Sequence, residues 1–220
     1  MTLARAAGLD AVETQWLMIG ATPCLLARRY DREVAPDGSL LRIHQEDFCQ
    51  ALGVPPERKY QTEGGPSLAD CFNLLRQWST APVVDIRSFL DGVIFAALTG
   101  NADAHAKNFS FLYRGASHRM APLYDQVCTL VWPELSATLS MKIGAANSLP
   151  EVSPEHFRQL AAKAGLGWPI VRERLAELTA GLEKLLDSDT LDLAPHAVRL
   201  SEQARQVVSS RTARMQRLIG

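Results

Sequence analysis

Apolar residues along most of this chain recur at the three-and-four spacing of amphipathic helices, with alternating stretches confined to a few short segments. Residues 2–8 read as the end of a helix closed by Gly8. Leu17 to Ile19 and Cys24 to Ala27 flank Gly20 and Pro23 as a β-hairpin would. Residues 31–39 form a polar turn region around Asp37-Gly38. The pattern then predicts a helix over His44 to Leu52, stopped by Gly53 with Pro55 and Pro56 beyond, and a loop over 59–66. Ser67 caps the next helix, with Asp70 at its N3 position and Leu68, Phe72, Leu75 and Trp78 directed inward. Pro82 opens another, whose buried stripe is Ile86, Phe89, Leu90, Val93, Ile94 and Ala97 and which ends at Gly100.

Asn108 to Arg114, a Gly115-containing turn, and His118 to Asp125 read as two short strands. Helical signals resume at Ser153-Pro154-Glu155, over Pro169 to Leu186, and over a long terminal helix from Pro195 to Ile219. The expected fold class is mostly α with small β-hairpins embedded (α+β).

Composition narrows the class. At 220 residues, 47% hydrophobic and 21% charged, the chain has the balance of a globular domain and excludes disordered or collagen-like architectures. With 23 Lys and Arg against 24 Asp and Glu, no global field marks a nucleic-acid or membrane-surface binder. The first ten residues lack the apolar region of a secretory signal, and the most apolar stretch, Phe89 to Leu98, is broken by Asp91 and Gly92 and too short for a bilayer. Cys24, Cys49, Cys71 and Cys128 are scattered without a C-x-x-C pair, which predicts free thiols and a cytoplasmic protein.

The chemistry-bearing stretch is Gly100-Asn101-Ala102-Asp103-Ala104-His105-Ala106-Lys107-Asn108, a hairpin, then Pro122-Leu123-Tyr124-Asp125. Asp-x-x-x-x-Asn is the spacing of protein-kinase catalytic loops, where the Asp takes the substrate hydroxyl's proton and the Asn ligates Mg²⁺. A second Asp one hairpin downstream fits the other metal ligand, because Mg²⁺ needs few protein oxygens when nucleotide phosphates complete its octahedron. A solvated polar loop, or metal-dependent hydrolysis by Asp103, His105 and Asp125, would use the same residue types.

These residues resemble the catalytic core of the HipA family, serine/threonine kinase toxins of bacterial toxin–antitoxin modules. Matching segments are Ala27-Arg28-Arg29-Tyr30-Asp31-Arg32, Ile43 to Gly53, and Lys59-Tyr60-Gln61-Thr62-Glu63-Gly64-Gly65-Pro66. The resemblance implies a protein-kinase-like fold, mainly the helical C-lobe over 31–220, with a remnant of the N-lobe and hinge over 1–30. It implies ATP and Mg²⁺, with Asp103 as catalytic base and Asn108 and Asp125 as metal ligands. His105, Ala106, Lys107 and Asn108, with Tyr124 and Asp125, would line the phosphates, Lys107 adding charge to the transition state. Arg28, Arg29 and Tyr30 would receive the adenine, mainly through backbone groups. The implied partners are a protein substrate such as an aminoacyl-tRNA synthetase and a helix-turn-helix antitoxin. DNA would be met indirectly or through the terminal helix, and no membrane is implied.

Two kinase parts have no counterpart before Arg28: the Gly-rich loop and the strand lysine, the first Lys being Lys59. The expectation is therefore a chain that starts inside the N-lobe and gains the missing parts from elsewhere. The alternative is a catalytically inactive HipA-like binding module for an antitoxin or partner subunit. Elsewhere, His44, His118 and His156 are expected in surface or structural roles, and Trp16, Trp78, Trp132 and Trp168 as packing anchors. Lys59 and Tyr60 are expected to fix a loop, and Glu46 and Asp47 to sit at a helix N-terminus. Arg199, Arg205, Arg211, Arg214 and Arg217, opposed only by Glu202, predict a solvated basic face on the terminal helix.

Overall fold

Three two-stranded hairpins, a three-stranded sheet and a helical bundle make up this computed structural model, which describes residues 1–188 and 198–219. Helix α1 (Thr2–Ala6) leads into β1 (Thr14–Ile19) and β2 (Thr22–Ala27), paired antiparallel with Trp16 opposite Leu25. The 31–39 region is more than a turn: β3 (Arg32–Val34) and β4 (Leu40–Arg42) form a second hairpin around Asp37-Gly38. Three-residue strands are too short to show alternation in sequence.

The helix expected over 44–52 is corrected in its first half. His44–Asp47 is strand β5, and only Phe48–Ala51 is helical, as α2. The tetrapeptide has no apolar face to hold a helix, and its pairing with β6 (Ser110–Arg114) supplies the missing hydrogen bonds. Asp47 does cap α2, its carboxylate accepting from the Gln50 N–H at 2.9 Å, whereas Glu46 lies in the strand and accepts from the Tyr113 hydroxyl at 2.5 Å. β7 (Ser117–Met120) completes the sheet in the order β5-β6-β7.

α3 (Leu68–Trp78) carries the expected capping box: Ser67 Oγ accepts from the Asp70 N–H at 3.2 Å, and Asp70 accepts from the Ser67 N–H at 2.9 Å. Leu68, Phe72 and Leu75 are buried. Trp78 is not inward: it is 48% exposed and stacks on His118 at a centroid distance of 4.9 Å. α4 (Pro82–Thr99) is the central helix, with every residue from Phe89 to Thr99 buried. Phe48, Phe72, Phe89, Phe109 and Phe111 are fully buried and join α2, α3 and α4 to β6, each such side chain stabilising by about 1.5–3 kcal/mol.

β8 (Thr138–Ile143) and β9 (Ala146–Ser148) form a hairpin not expected from sequence, although Leu139, Met141 and Ile143 alternate and are buried. α5 (Pro154–Ala164), α6 (Trp168–Leu186) and α7 (Val198–Ile219) close the bundle. The terminal helix's expected start at Pro195 lies outside the described residues. Its basic face is only partly solvated. Arg211 donates to the carbonyls of Ala97 at 2.6 Å and Leu149 at 3.3 Å, Arg214 donates to Pro150, and Arg205 donates to Leu186. Carbonyls of the α4 and α6 C-terminal turns attract these cations through their aligned dipoles. Burial pushes the Arg211 guanidinium down to about 10, which leaves it charged at neutral pH.

All four cysteines are free thiols, and burial pushes Cys49 up to about 11. Among the described residues, no helix is long and apolar enough to cross a membrane.

Candidate active site

Helix α4 ends at Gly100 in a left-handed turn, φ 77°, where an added Cβ would lie 2.9 Å from Val207. The turn throws residues 101–109 across the end of the bundle, and neighbouring backbone holds them there. Thr129 Oγ1 accepts from the Ala102 N–H at 2.9 Å and donates to the Gly100 carbonyl at 3.0 Å. On β8, the Ser140 N–H donates to the Ala102 carbonyl at 3.0 Å. The half-exposed carboxylate of Asp103 stands next in line. Ser140 Oγ lies 2.9 Å from the Ala102 carbonyl and 3.3 Å from Asp103 Oδ1, its hydrogen shared between them.

The His105 imidazole is buried. Its Nε2 is 3.1 Å from Lys59 Nζ and 3.9 Å from Asp103 Oδ2. Burial lowers its pKa first; Asp103 pulls it up and Lys59 pushes it further down, so the ring is neutral and accepts from the ammonium. Lys59 also lies 4.7 Å from the Tyr60 ring centroid. Its own pKa is raised, by Tyr60 first and then, against an opposing burial effect, by the carboxylates of Asp103 and Asp125. Sequence reasoning gave Lys59 and Ser140 no part in the site. Lys59 lies 44 residues before Asp103, and nothing in its local pattern marks the fold-back.

Asn108 is buried, its Oδ1 accepting from the His105 N–H at 3.0 Å and its Nδ2 donating to Asp125 Oδ2 at 2.6 Å. Asp125 has φ 54°, a left-handed backbone that no other non-glycine shares among the described residues. Such a conformation costs on the order of 1–3 kcal/mol and persists where surrounding structure enforces it. Here Leu123 is clamped between Asp10 and Val12 by two backbone bonds, of 2.8 and 2.9 Å. Tyr124 fixes the next link: its hydroxyl donates to the Lys107 carbonyl at 2.7 Å and lies 2.6 Å from Ser110 Oγ.

The loop and the second aspartate are thus brought together in one chain of contacts: Asp103 beside His105, His105 bonded to Asn108, and Asn108 bonded to Asp125, with Ala106 buried between His105 and Lys107. Lys107 is half-buried and makes no ion pair among the described residues. Tyr30 packs near Tyr124 with ring centroids 5.6 Å apart, placing the 28–30 segment beside these contacts. The arginine side chains there are engaged elsewhere. Arg28 lies 3.5 Å from Glu13, and Arg29 forks onto Asp31 at 2.7 and 2.5 Å. Backbone groups of Arg29 and Tyr30 make no hydrogen bond among the described residues, leaving them open to a ligand.

Donor chemistry discriminates between metals. Asp125 offers a hard carboxylate oxygen, and Asn108 a second through the remaining lone pair of the Oδ1 that accepts from His105; Mg²⁺ commonly takes one or two carboxylates with water and substrate phosphates. Among the described residues no three His, Cys, Asp or Glu side chains converge on a metal position. His105 Nε2 faces Lys59 instead, which sets aside metal-dependent hydrolysis through Asp103, His105 and Asp125.

Comparison with known proteins agrees with this geometry. Residues 1–186 match the family model described as the HipA-like C-terminal domain. Y4mE of Sinorhizobium fredii, named as a candidate kinase, is 45% identical over 210 residues, covering 94% of this chain and 50% of Y4mE. The serine/threonine-protein kinase toxin HipA of Shewanella oneidensis is 32% identical over 183 residues, covering 77% of this chain and 41% of that protein. This chain therefore spans about half the length of the curated relatives it matches. In structure it resembles S. oneidensis HipA, solved with HipB and operator DNA, at a TM-score of 0.90 and 23% identity, over 100% of this chain and 55% of that one. The Helicobacter pylori proinflammatory kinase CtkA gives a TM-score of 0.60 at 13% identity, over 99% of this chain and 79% of CtkA. The fold is kinase-like α+β, and the chain belongs to the HipA family through its HipA-like C-terminal domain.

Proposed function

We propose that this chain is the C-lobe of a HipA-type serine/threonine protein kinase, with residues 1–30 its hinge and N-lobe remnant, transferring the γ-phosphoryl group of ATP to a protein hydroxyl. The observation that carries this is the contact chain from Asp103 through His105 and Asn108 to a left-handed Asp125. In the reaction, the hydroxyl oxygen bonds to the γ-phosphorus as the bond to the bridging oxygen breaks, and ADP leaves with that electron pair. Asp103 accepts the hydroxyl proton, its carboxylate aimed by Ser140. Asn108 and Asp125 would hold Mg²⁺, which when bound neutralises charge on the phosphates. His105, Ala106, Lys107 and Tyr124 shape the phosphate side, and the open backbone of Arg29 and Tyr30 takes the adenine edge. Burial and positioning do the rest, because phosphoryl transfer depends on alignment and charge stabilisation.

The family and the HipB complex of the S. oneidensis neighbour support a toxin role in the cytoplasm beside a helix-turn-helix antitoxin, and an aminoacyl-tRNA synthetase is a suitable class of substrate. DNA contact through the terminal helix is weakly supported, since Arg205, Arg211 and Arg214 serve internal carbonyls.

Phosphate transfer from labelled Mg·ATP to protein tests the assignment. Asp103→Ala is expected to lower the rate about 10²–10⁴-fold, the usual contribution of a positioned base. Undiminished transfer by that variant would refute it.

A further inference from the structure

Asp103 lines a cavity of about 430 Å³, whose other walls come from Tyr60 and Thr62, from Ala102 and Thr129, and from residues 135, 136 and 138–140. Neither Asn108, Asp125 nor Lys59 lines it. Its size falls within the roughly 300–1,000 Å³ of side-chain and small-ligand sites. Walls from three separate segments are cross-tied. Ser140 bonds to Ala102 as described, and the Lys142 N–H donates to Gln61 Oε1 at 2.8 Å, so the cavity is set by the same bonds that place the base.

The lining says what would fit. Of its hydroxyls, Thr129 is spent on Gly100 and Ala102 and Ser140 on Ala102 and Asp103, and Ser136 accepts from the Thr138 N–H at 3.1 Å; those of Thr62 and Thr138 sit on exposed residues, where water serves them. What a guest meets is the Tyr60 ring, buried Leu139 and the 50% exposed Leu135. No lysine or arginine lines the cavity, and the one charge is the Asp103 carboxylate. An acidic guest would find no counter-ion and a like charge at the rim. A basic guest would pair with the carboxylate that must stay free to take a proton.

Resting on the kinase reading above, we propose that this cavity seats an apolar or aromatic side chain of the protein substrate. That side chain lies one or two residues from the hydroxyl that receives the phosphoryl group. The separation follows from reach: the acceptor hydroxyl must lie at Asp103, the cavity begins there, and an extended chain advances only about 3.3–3.6 Å per residue. The cavity is therefore a specificity pocket, and Leu135 and Thr62, both exposed at its mouth, are the residues that set its preference.

The test has two readouts on the whole protein. Ser- and Thr-containing peptide libraries, varied at the two positions on either side of the acceptor, are phosphorylated with Mg·ATP. The same peptides, fluorescently labelled, are titrated for binding without nucleotide. Apolar residues at one flanking position should be preferred about tenfold or more over acidic ones in both readouts, the discrimination a hydrophobic pocket typically gives. Leu135→Arg, and independently Thr62→Arg, should turn that preference toward acidic residues. Turnover with no flanking preference, or a preference that neither arginine changes, would overturn the pocket while leaving the kinase intact. Absence of transfer to any peptide, with apolar-selective binding still reversed by the arginines, would sink the kinase reading and keep the pocket. Absence of both would sink both.

Discussion

Asp125 is the residue whose backbone is most revealing. An aspartate at φ 54° is held there by the clamp on Leu123, and its carboxylate accepts from Asn108, the residue expected to share a metal with it. Lys59 is the second telling residue. Its ammonium lies 3.1 Å from Nε2 of a neutral His105 and feels the carboxylates of Asp103 and Asp125, which raise its pKa, so in the proposed reaction it would meet the charge that develops on transfer. Lys59→Met should lower kcat by about 10²-fold, the order seen when one preorganised donor is removed from a developing charge, while Lys59→Arg recovers part of the loss. Steady-state kinetics on a protein substrate decides it, and an unchanged kcat in Lys59→Met would confine the lysine to holding its loop.

At the scale of elements, α4 and α7 are the pieces that hold the site in place. α4 carries the loop of Asp103 and Asn108 on its C-terminal turn, and α7 locks that turn through the Arg211 bond to the Ala97 carbonyl. Arg211→Ala would leave the Ala97 and Leu149 carbonyls without their charged donor, at about 1–3 kcal/mol. For a chain of 220 residues that lowers Tm by roughly 2–4 °C per kcal/mol. Thermal unfolding measures it, and an unshifted Tm would mean the bond is idle. Long periodic helices with clear caps, such as α3 after Ser67 and α4 between Pro82 and Gly100, were legible in the sequence because their signals are local. The loop and Asp125 were legible for the same reason, their spacing being short. Less visible were β5, whose conformation is decided by a partner more than sixty residues away, and the three-residue strands of the second hairpin. The burial of Arg211 was hidden too: composition shows a basic helix, but only packing shows which arginines face carbonyls.

As a whole, the molecule has a dense helical body and two thinly covered hairpins. Ile19, Leu25, Val34 and Leu40 on β1 to β4 are 65–75% exposed, and isolated two-stranded ribbons are marginal in water. The single large core runs instead from Ala4 through α4 to Met215. The candidate site lies where that body meets the hairpins, with Tyr30 against Tyr124 at the seam. Rigid support thus falls on Asp103, Asn108 and Asp125, while the 28–30 segment proposed to meet the adenine rests on the lighter part. The division of labour at this site is tested most directly by calorimetric titration of ATP with and without Mg²⁺. Mg²⁺ should tighten ATP binding in the wild type and in Asp103→Asn, and lose that effect in Asp125→Ala. ATP binding that ignores Mg²⁺, or a Mg²⁺ effect that survives Asp125→Ala, would contradict the assignment of a phosphoryl-transfer site to Asp103, Asn108 and Asp125.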